Sequence, residues 1–247
     1  MINPNLYAKP VPLHNVQHRH LKVARAMNDW SVASRLNSLF VAAVEFGDVA
    51  VEYPIVFVNA GTSPEGKQEV APVAVFGLHS DENLFVDGSK WRALYRPALL
   101  RAYPFGIARA EGGRAILVLD EAWAGWSQTE GEPLFAGDSQ PAPYLAAMRE
   151  HLDKVETEVQ RTRLFGQALV DAGLLLPMRF DATLPGSPTV TLDGFLTVDE
   201  KKLGELADNK VLEFHRNGVL SLIHSHLVSL RHMRRLADWR AARTASA

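Results

Sequence analysis

The pair His79 and Asp81 is a first group of residues that could support catalysis. Non-haem iron sites are often formed by two histidines and one carboxylate. An H-x-D pair at the end of an apolar strand, as here, can supply the first two of these three ligands. A more distant histidine would complete such a site, and the chain offers His151, His215 and His226. Asp81 also belongs to the run Ser80 to Asn83, whose residue types form turns by bonding their own backbone. The sequence therefore favours a turn, and an iron-dependent enzyme with His79, Asp81 and His226 as ligands is the alternative.

Two further histidine pairs have H-x-H spacing, His18 with His20 and His224 with His226. In a strand, residues i and i+2 face the same way, so the first pair could share a metal ion if it is extended. In a helix the same spacing separates the side chains by about 200°, so the second pair cannot converge on one ion. Because no third ligand follows at a recognisable spacing, structural roles are favoured for both pairs.

Acidic and aromatic residues supply the candidates for a binding surface. Asp120 and Glu121 end an apolar run, where carboxylates could act as acid and base but more often end a strand. The aromatic residues between positions 91 and 126 could line a groove, although filling the core of a small sheet is favoured. Together with nearby charges and C-terminal arginines, the candidate ligand or partner surface comprises Asp87, Trp91, Tyr103, Arg109, Asp120, Glu121, Arg231, Arg234 and Arg235.

Five arginines lie between positions 231 and 243, against a single acidic residue, Asp238. Cations are favoured near the C-terminal end of a helix because they offset its macrodipole, and the alternative is a phosphate-binding strip. The whole chain has 26 Lys and Arg against 28 Asp and Glu, for a formal net charge of −2. Because nucleic-acid-binding domains are usually basic overall, the helix-end interpretation is favoured and no nucleic-acid partner is expected.

The composition excludes several other kinds of chemistry. The chain has 247 residues and no cysteine, which removes thiol nucleophiles, CxxC redox pairs, iron–sulfur clusters and zinc–thiolate sites. The motifs GxGxxG, GxxxxGK[ST], GxSxG, HExxH and DxDxDG are also absent from the sequence. We therefore predict no cofactor, and an enzymatic role has no recognisable signature.

Helices should carry many of these residues, and their positions follow from the spacing of apolar side chains. Spacings of three and four predict one helix from Ser31 to Gly47 and another from Leu145 to Gly173. Asp199 is a candidate N-cap for a short helix. Apolar residues from Val219 to Leu236 predict a long C-terminal helix.

Short apolar runs separated by turn residues predict strands in the first half of the chain. These runs cover residues 55–58, 70–78, 84–86, 105–109 and 115–119, the last two flanking a turn at Gly112 and Gly113. A further hairpin is predicted over 178–192, with its turn at Pro185 to Pro188. The connections are too short for parallel crossovers. The predicted fold class is α+β, a largely antiparallel sheet of about five or more short strands packed with long helices.

One domain is predicted for residues 1–247, with a sheet-rich part, 1–124, and a helix-rich part, 142–247, joined by a Gly-, Ser- and Pro-rich connector. No run of apolar residues near the N-terminus is typical of a secretory signal, and no window is long and apolar enough to cross a bilayer. We therefore expect a cytoplasmic protein without membrane insertion.

Seven short sequence segments, which occur in the same order along the chain, resemble the SapC family of bacterial proteins. The resemblance extends from about Asn15 to Leu236. The segments are YPIVF (53–57), ENLFVD (82–87), RAYPFGIAR (101–109), ILVLDE (116–121), RTRLFGQAL (161–169), LDGFLTVDEKKL (192–203) and HSHLVSL (224–230).

This resemblance implies a role beside other proteins and no established reaction. The family name comes from a surface-layer system, and its members are often encoded beside TonB-dependent uptake receptors, halogenase-like flavoproteins and cupin-like proteins. The expected function is therefore that of a non-catalytic accessory or interaction protein of an uptake, modification or surface-layer system. A protein partner from that neighbourhood is expected, and self-association is left open.

Overall fold

Short strands dominate the N-terminal half of the chain, and two longer strands follow near residue 180. The computed structural model describes residues 2–24, 28–63, 65–109, 114–137, 139–182 and 189–245. Its strands are Pro10–Pro12 (β1), Lys22–Val23 (β2), Ser38–Phe40 (β3), Ile55–Thr62 (β4), Gln68–Val75 (β5), Val86–Asp87 (β6), Lys90–Trp91 (β7), Phe105–Arg109 (β8), Ala115–Asp120 (β9), Trp126–Ser127 (β10), Glu132–Pro133 (β11), Leu175–Ala182 (β12) and Val190–Val198 (β13).

Helices dominate the C-terminal half, as the apolar spacing predicts. The α-helices are Phe46–Glu52 (α1), Ala98–Ala102 (α2), Pro143–Asp171 (α3), Glu200–Gly204 (α4), Asp208–Arg216 (α5), Val219–Ser229 (α6) and His232–Ala245 (α7), with 3₁₀ turns at Trp30–Ala33 and Ala43–Glu45. The predicted C-terminal helix is confirmed as α6 and α7, which a short turn at Leu230 and Arg231 separates. Asp199 caps α4 as predicted, since its side chain accepts hydrogen bonds from the backbone N–H groups of Lys201 and Lys202.

The main sheet has five strands in the order β12-β13-β4-β5-β3, and each neighbouring pair is antiparallel. It combines strands from the N-terminal and C-terminal parts of the chain. A second sheet, β1-β9-β8, attaches the N-terminal segment to the same core. Antiparallel sheets with long helices confirm the predicted α+β class.

Most of the predicted strands are confirmed, with changed ends. The run 55–58 extends to Thr62, and 84–86 contributes only Val86–Asp87. The pairings β8 with β9 and β12 with β13 match the two predicted hairpins. Their predicted turns, at Gly112 and Gly113 and at 185–188, lie outside the described residues.

The predicted helix from Ser31 to Gly47 is wrong. This segment instead forms a 3₁₀ turn, strand β3, a second 3₁₀ turn and the start of α1. Strand β3 pairs with β5, and the carbonyl of Asn37 accepts hydrogen bonds from the backbone N–H groups of Phe76 and Gly77. Distant backbone partners therefore outweigh the local helical spacing of the apolar residues.

Helix α3 packs closely against β5, and Gly166 makes that approach possible. A Cβ atom on Gly166 would lie 2.8 Å from the carbonyl oxygen of Val70. We expect Gly166→Ala to lower the free energy of unfolding by about 1–2 kcal/mol, because overpacking outweighs the better helix propensity of alanine. Urea unfolding measures this change.

The matched control is Gly47→Ala in α1. A Cβ atom at Gly47 would meet no heavy atom within 4 Å, so this variant should be as stable as the parent or slightly more stable. An equal gain at Gly166 would contradict the close packing of α3 on β5.

Helix α6 joins the sheet through the imidazole of His226. Extension of the register Leu196↔Phe57 places Val198 opposite Ile55 at the ends of β13 and β4. His226 Nδ1 donates to the Ile55 carbonyl oxygen over 2.8 Å, and its Nε2 accepts from the Val198 N–H over 3.1 Å. The imidazole thus links backbone groups at the adjoining ends of these two strands.

Candidate interaction face

Asp120, a predicted surface residue, is an interior carboxylate with a structural role. It is 1% exposed. Its Oδ1 accepts from the N–H groups of Lys9 (2.8 Å) and Ala122 (3.2 Å), and its Oδ2 accepts from the N–H of Ala8 (2.9 Å) and the hydroxyl of Tyr103 (3.0 Å). Burial, followed by the charge of Asp120, raises the pKa of Tyr103, which therefore remains a donor. Asp120 and Tyr103 fix the N-terminal segment rather than present a surface.

Trp91 and Arg235 belong to an aromatic cluster beneath α7. Trp91 is 8% exposed, and its Nε1 donates to the hydroxyl of Tyr53 over 2.8 Å. The guanidinium of Arg235 lies 4.9 Å from the ring centroid of Trp239 and 5.8 Å from that of Phe85. Burial lowers the pKa of Arg235. Both predicted residues therefore pack this cluster.

The other predicted surface residues are dispersed over the molecule. Arg231 and Arg234 are exposed. The remaining three form ion pairs: Glu121 with Lys9 (2.6 Å), Asp87 with Arg92 (3.1 Å) and Arg109 with Glu156. The nine predicted residues therefore do not form one site.

The alternative iron site is not assembled. His226 is fully buried, and both of its ring nitrogens are within hydrogen-bond distance of protein groups. His79 is exposed, and Asp81 lies 3.3 Å from the guanidinium of Arg35. Within the described ranges, no three His, Cys, Asp or Glu side chains are grouped so that they could hold a metal ion.

Two of the five C-terminal arginines, Arg240 and Arg243, hold α7 against residues 82–86. Arg240 lies 2.5 Å from the carboxylate of Glu82, and Arg243 donates to the carbonyl oxygens of Asn83 and Val86. These contacts give Arg240 and Arg243 a structural role. Arg231 and Arg234, which are exposed, take no part in them.

Four of the exposed large apolar side chains lie on or next to α1, α3 and α6. We name this set the apolar face: Val44 (69% exposed), Val51 (69%), Leu164 (73%) and Val228 (56%). Val44 lies in the 3₁₀ turn just before α1, and Val51 lies in the last turn of α1. Leu164 lies on α3 and Val228 on α6. Three different helical segments therefore contribute to it.

Two neighbouring clefts connect the residues of the apolar face. The first, of about 630 Å³, lies between α3 and α6 and includes Val44 and Leu164 in its walls. The second, of about 470 Å³, lies between α1 and α6 and includes Val51 and Val228. Ser221 lines both clefts, so they adjoin along α6, and we refer to the two clefts together as the groove.

A further cleft, of about 540 Å³, lies on the other side of Leu164. Helix α3 and the β4–β5 hairpin form its walls, and Phe40 and Val70 contribute apolar surface to it. Charged side chains, including Lys67 and Arg163, lie at its rim. Leu164 therefore separates two depressions and projects between them.

The segment HSHLVSL (224–230) shows that α6 contributes side chains both to the core and to the groove. His226 and Ser229 face inward, where the hydroxyl of Ser229 accepts from the Ile55 N–H over 2.9 Å. Ser225 and Val228 line the second cleft. At about 100° per residue Val228 is rotated by about 100° from Ser229 and Ser225 by about 100° from His226, so this side of α6 is adjacent to the buried one.

Sequence reasoning missed the apolar face because an exposed valine has no local signature. The one available signal is an apolar residue outside the buried stripe of its helix. Leu164 precedes the buried Phe165 and is therefore rotated by about 100° from it. Which side of α3 stays uncovered depends on the rest of the fold.

Positive charge lies at the α7 end of the groove. Arg231 and His232 line the second cleft there, together with His224. His232 Nε2 donates to the carbonyl oxygen of Ala50 over 3.1 Å, and burial, followed by the charge of Arg235, lowers the pKa of His232. Arg231 takes part in none of the ion pairs within the described part of the chain.

Comparisons with known proteins place the chain in a family. None of the described helices combines the length and apolar character needed to cross a membrane. Neither the curated proteins nor the solved structures include a match to the chain. The family model SapC matches residues 13–236, which is most of the sequence. The chain therefore belongs to the SapC family.

Proposed function

We propose that this chain is a non-catalytic accessory protein that binds another protein through the apolar face. The observation that carries the proposal is the pair of adjoining clefts along α6, with Val44, Val51, Leu164 and Val228 exposed at their sides. Scattered apolar residues are common on protein surfaces, but contiguous apolar patches around a groove mark binding sites. Covering these side chains with a partner removes apolar area from water and favours association.

The positions of the other candidate residues in the core support this role. Asp120, His226 and Tyr103 have the residue types of acid–base chemistry, yet each is hydrogen-bonded within the core. Their hydrogen bonds connect strands and chain segments to one another within the core. Binding through a surface needs none of these groups to react.

The family resemblance supports the choice of the first partners to test. We propose a cytoplasmic protein that works beside an uptake, modification or surface-layer system. Halogenase-like, cupin-like or uptake proteins encoded nearby are the first partners to test. Self-association through the same face is a second outcome that the experiment below distinguishes by mass.

Site-specific photocrosslinking in the producing bacterium tests this proposal. A benzophenone amino acid is placed at Leu164 or Val228, and at Val16 as the control, which is 70% exposed away from these clefts. We expect a discrete adduct of higher mass from the first two positions and not from Val16. Mass spectrometry identifies the partner.

A double variant gives the matching loss of function. Leu164→Asp with Val228→Asp should abolish the adduct and the co-purification, because two carboxylates would be desolvated at the interface. Both side chains are exposed, so the thermal midpoint should stay close to that of the parent. Val16→Asp is the matched control and should retain the partner. Equal adducts at all three crosslinker positions, or none, would contradict the proposal.

A further inference from the structure

We infer that the occupant of the groove is an amphipathic helix of the partner, with acidic residues at the end that lies beside Arg231. This inference rests on the proposed function and specifies the chemistry of the same site. It is argued from the length, the walls, the floor and the charge of the groove.

The length of the groove suits a helix of several turns. Its lining residues on α6 run from Val219 to Val228, and Arg231 and His232 continue the lining beyond the end of this helix. At 1.5 Å per residue the part on α6 spans about 14 Å, which is the length of a helix of about nine residues. Apolar side chains on both sides of that span match the repeated anchors of helix-in-groove recognition.

The walls favour a helix over a strand. The 3₁₀ turn at Ala43–Glu45 with α1, α3 and α6 form the groove, and helices satisfy their backbone groups internally. A partner strand would find no row of unpaired N–H and C=O groups in the middle of such walls. A helix needs only ridges and grooves of side chains, which these walls supply.

Small residues form the floor of the second cleft. Gly47 and Ala50 contribute from α1, and Ser221 and Ser225 contribute from α6. No heavy atom lies within 4 Å of a Cβ built on Gly47, so the space above it is open. A helix could therefore approach closely between the flanking Val51 and Val228.

The charge of the groove determines at which end of the groove acidic residues of the partner helix are favoured. Among the described residues that line the second cleft, His224, Arg231 and His232 are the titratable ones, and none is a carboxylate. At the opposite end, Arg161 lies 2.6 Å from Glu158, so that cation is already paired. Acidic residues of the partner are therefore favoured at the α7 end.

Selection from a displayed peptide library tests this inference directly. The library presents 16-residue helices with fixed apolar anchors, and their flanking positions are randomised among Glu, Lys, Gln and Ser. The full chain is the bait, and Leu164→Asp with Val228→Asp is the counter-selection bait. We expect the enriched peptides to carry Glu toward one end and to bind the parent but not the double variant.

Charge reversal gives the second readout. Arg231→Glu should weaken the enriched acidic peptides about fivefold, the size expected for an exposed ion pair. The matched control is Arg234→Glu, an exposed arginine of the same run outside the cleft linings. It should leave the affinity unchanged.

Two results would overturn the inference. One is a selection without groove-dependent peptides, and the other is enrichment of Lys or neutral residues at the end beside Arg231. If crosslinking from Leu164 and Val228 still identifies a partner in either case, the proposed function stands and only the helix and its charge are wrong. If crosslinking also fails, the interaction role itself is wrong.

Discussion

His226→Ala should lower the free energy of unfolding by about 4 kcal/mol, one of the two largest single-residue effects we expect. The substitution removes the acceptor of the Val198 N–H and the donor to the Ile55 carbonyl oxygen. Each buried backbone group left without a partner costs about 1–3 kcal/mol, and the lost ring also leaves a cavity beside Phe57. Urea unfolding followed by tryptophan fluorescence measures the change.

His224→Ala is the matched control for this experiment. His224 lies two residues away on the same helix but lines the exposed second cleft. Its removal should leave the urea midpoint close to that of the parent. Similar losses at both positions would show that the imidazole of His226 does not bridge β4 and β13.

The same residue should make stability depend on pH. Burial lowers the pKa of His226 to about 4, whereas an unfolded histidine titrates near 6.5. Between these values the unfolded chain binds one more proton, so stability falls as the pH decreases from about 6.5 to about 4 and then levels off. The loss from this group between pH 7 and pH 5 is about 2 kcal/mol. Urea unfolding of His226→Ala should lack that component, and an unchanged pH slope would count against a neutral, buried imidazole.

Asp120→Asn should lower the free energy of unfolding by about 3 kcal/mol and loosen the N-terminal segment. Each carboxylate oxygen of Asp120 accepts two hydrogen bonds, one from Lys9 or Ala8 and one from Ala122 or Tyr103. An amide has one acceptor oxygen, so its NH₂ group must face two donors whichever way it is turned. Buried donors without acceptors then cost several kcal/mol in total.

Hydrogen exchange locates the effect of Asp120→Asn. The amides of Ala8, Lys9 and Val11 should exchange faster than in the parent, because Ala8 and Lys9 donate to Asp120 and β1 pairs with β9 beside it. Glu121→Gln is the matched control, since the carboxylate of Glu121 is exposed and forms an ion pair with the exposed Lys9. It should leave both the exchange pattern and the urea midpoint unchanged. Uniformly faster exchange in both variants would argue against a specific role for Asp120.

Local patterns were sufficient to predict elements whose stability is local. The spacing of Leu145, Leu152 and Val155 predicts α3 because one face of that helix is buried along its length. Asp199 predicts the start of α4 because a cap bonds N–H groups two and three residues away. The strands β4, β5, β8 and β9 follow from short apolar runs between turns.

Patterns failed where distant backbone groups decide the local structure. Phe40 fits the apolar spacing of a helix from Ser31, yet it lies in β3 because β5 offers it a pairing edge. No residue near Phe40 in the sequence indicates that the edge of β5 will be available for pairing. A three-residue strand is stabilised by its neighbour rather than by its own propensity.

The sequence by itself determined the α+β class, the lack of thiol chemistry and the membership of a family. Only the tertiary structure decided what the chemically capable residues do. His226 is a bridge because the fold brings Ile55 and Val198 together beneath α6, and Asp120 is an anchor because the N-terminal segment returns to β9. The apolar face exists because nothing in the described fold covers those sides of α1, α3 and α6. Exposure depends on how all elements pack together, and so no local pattern of residues encodes it.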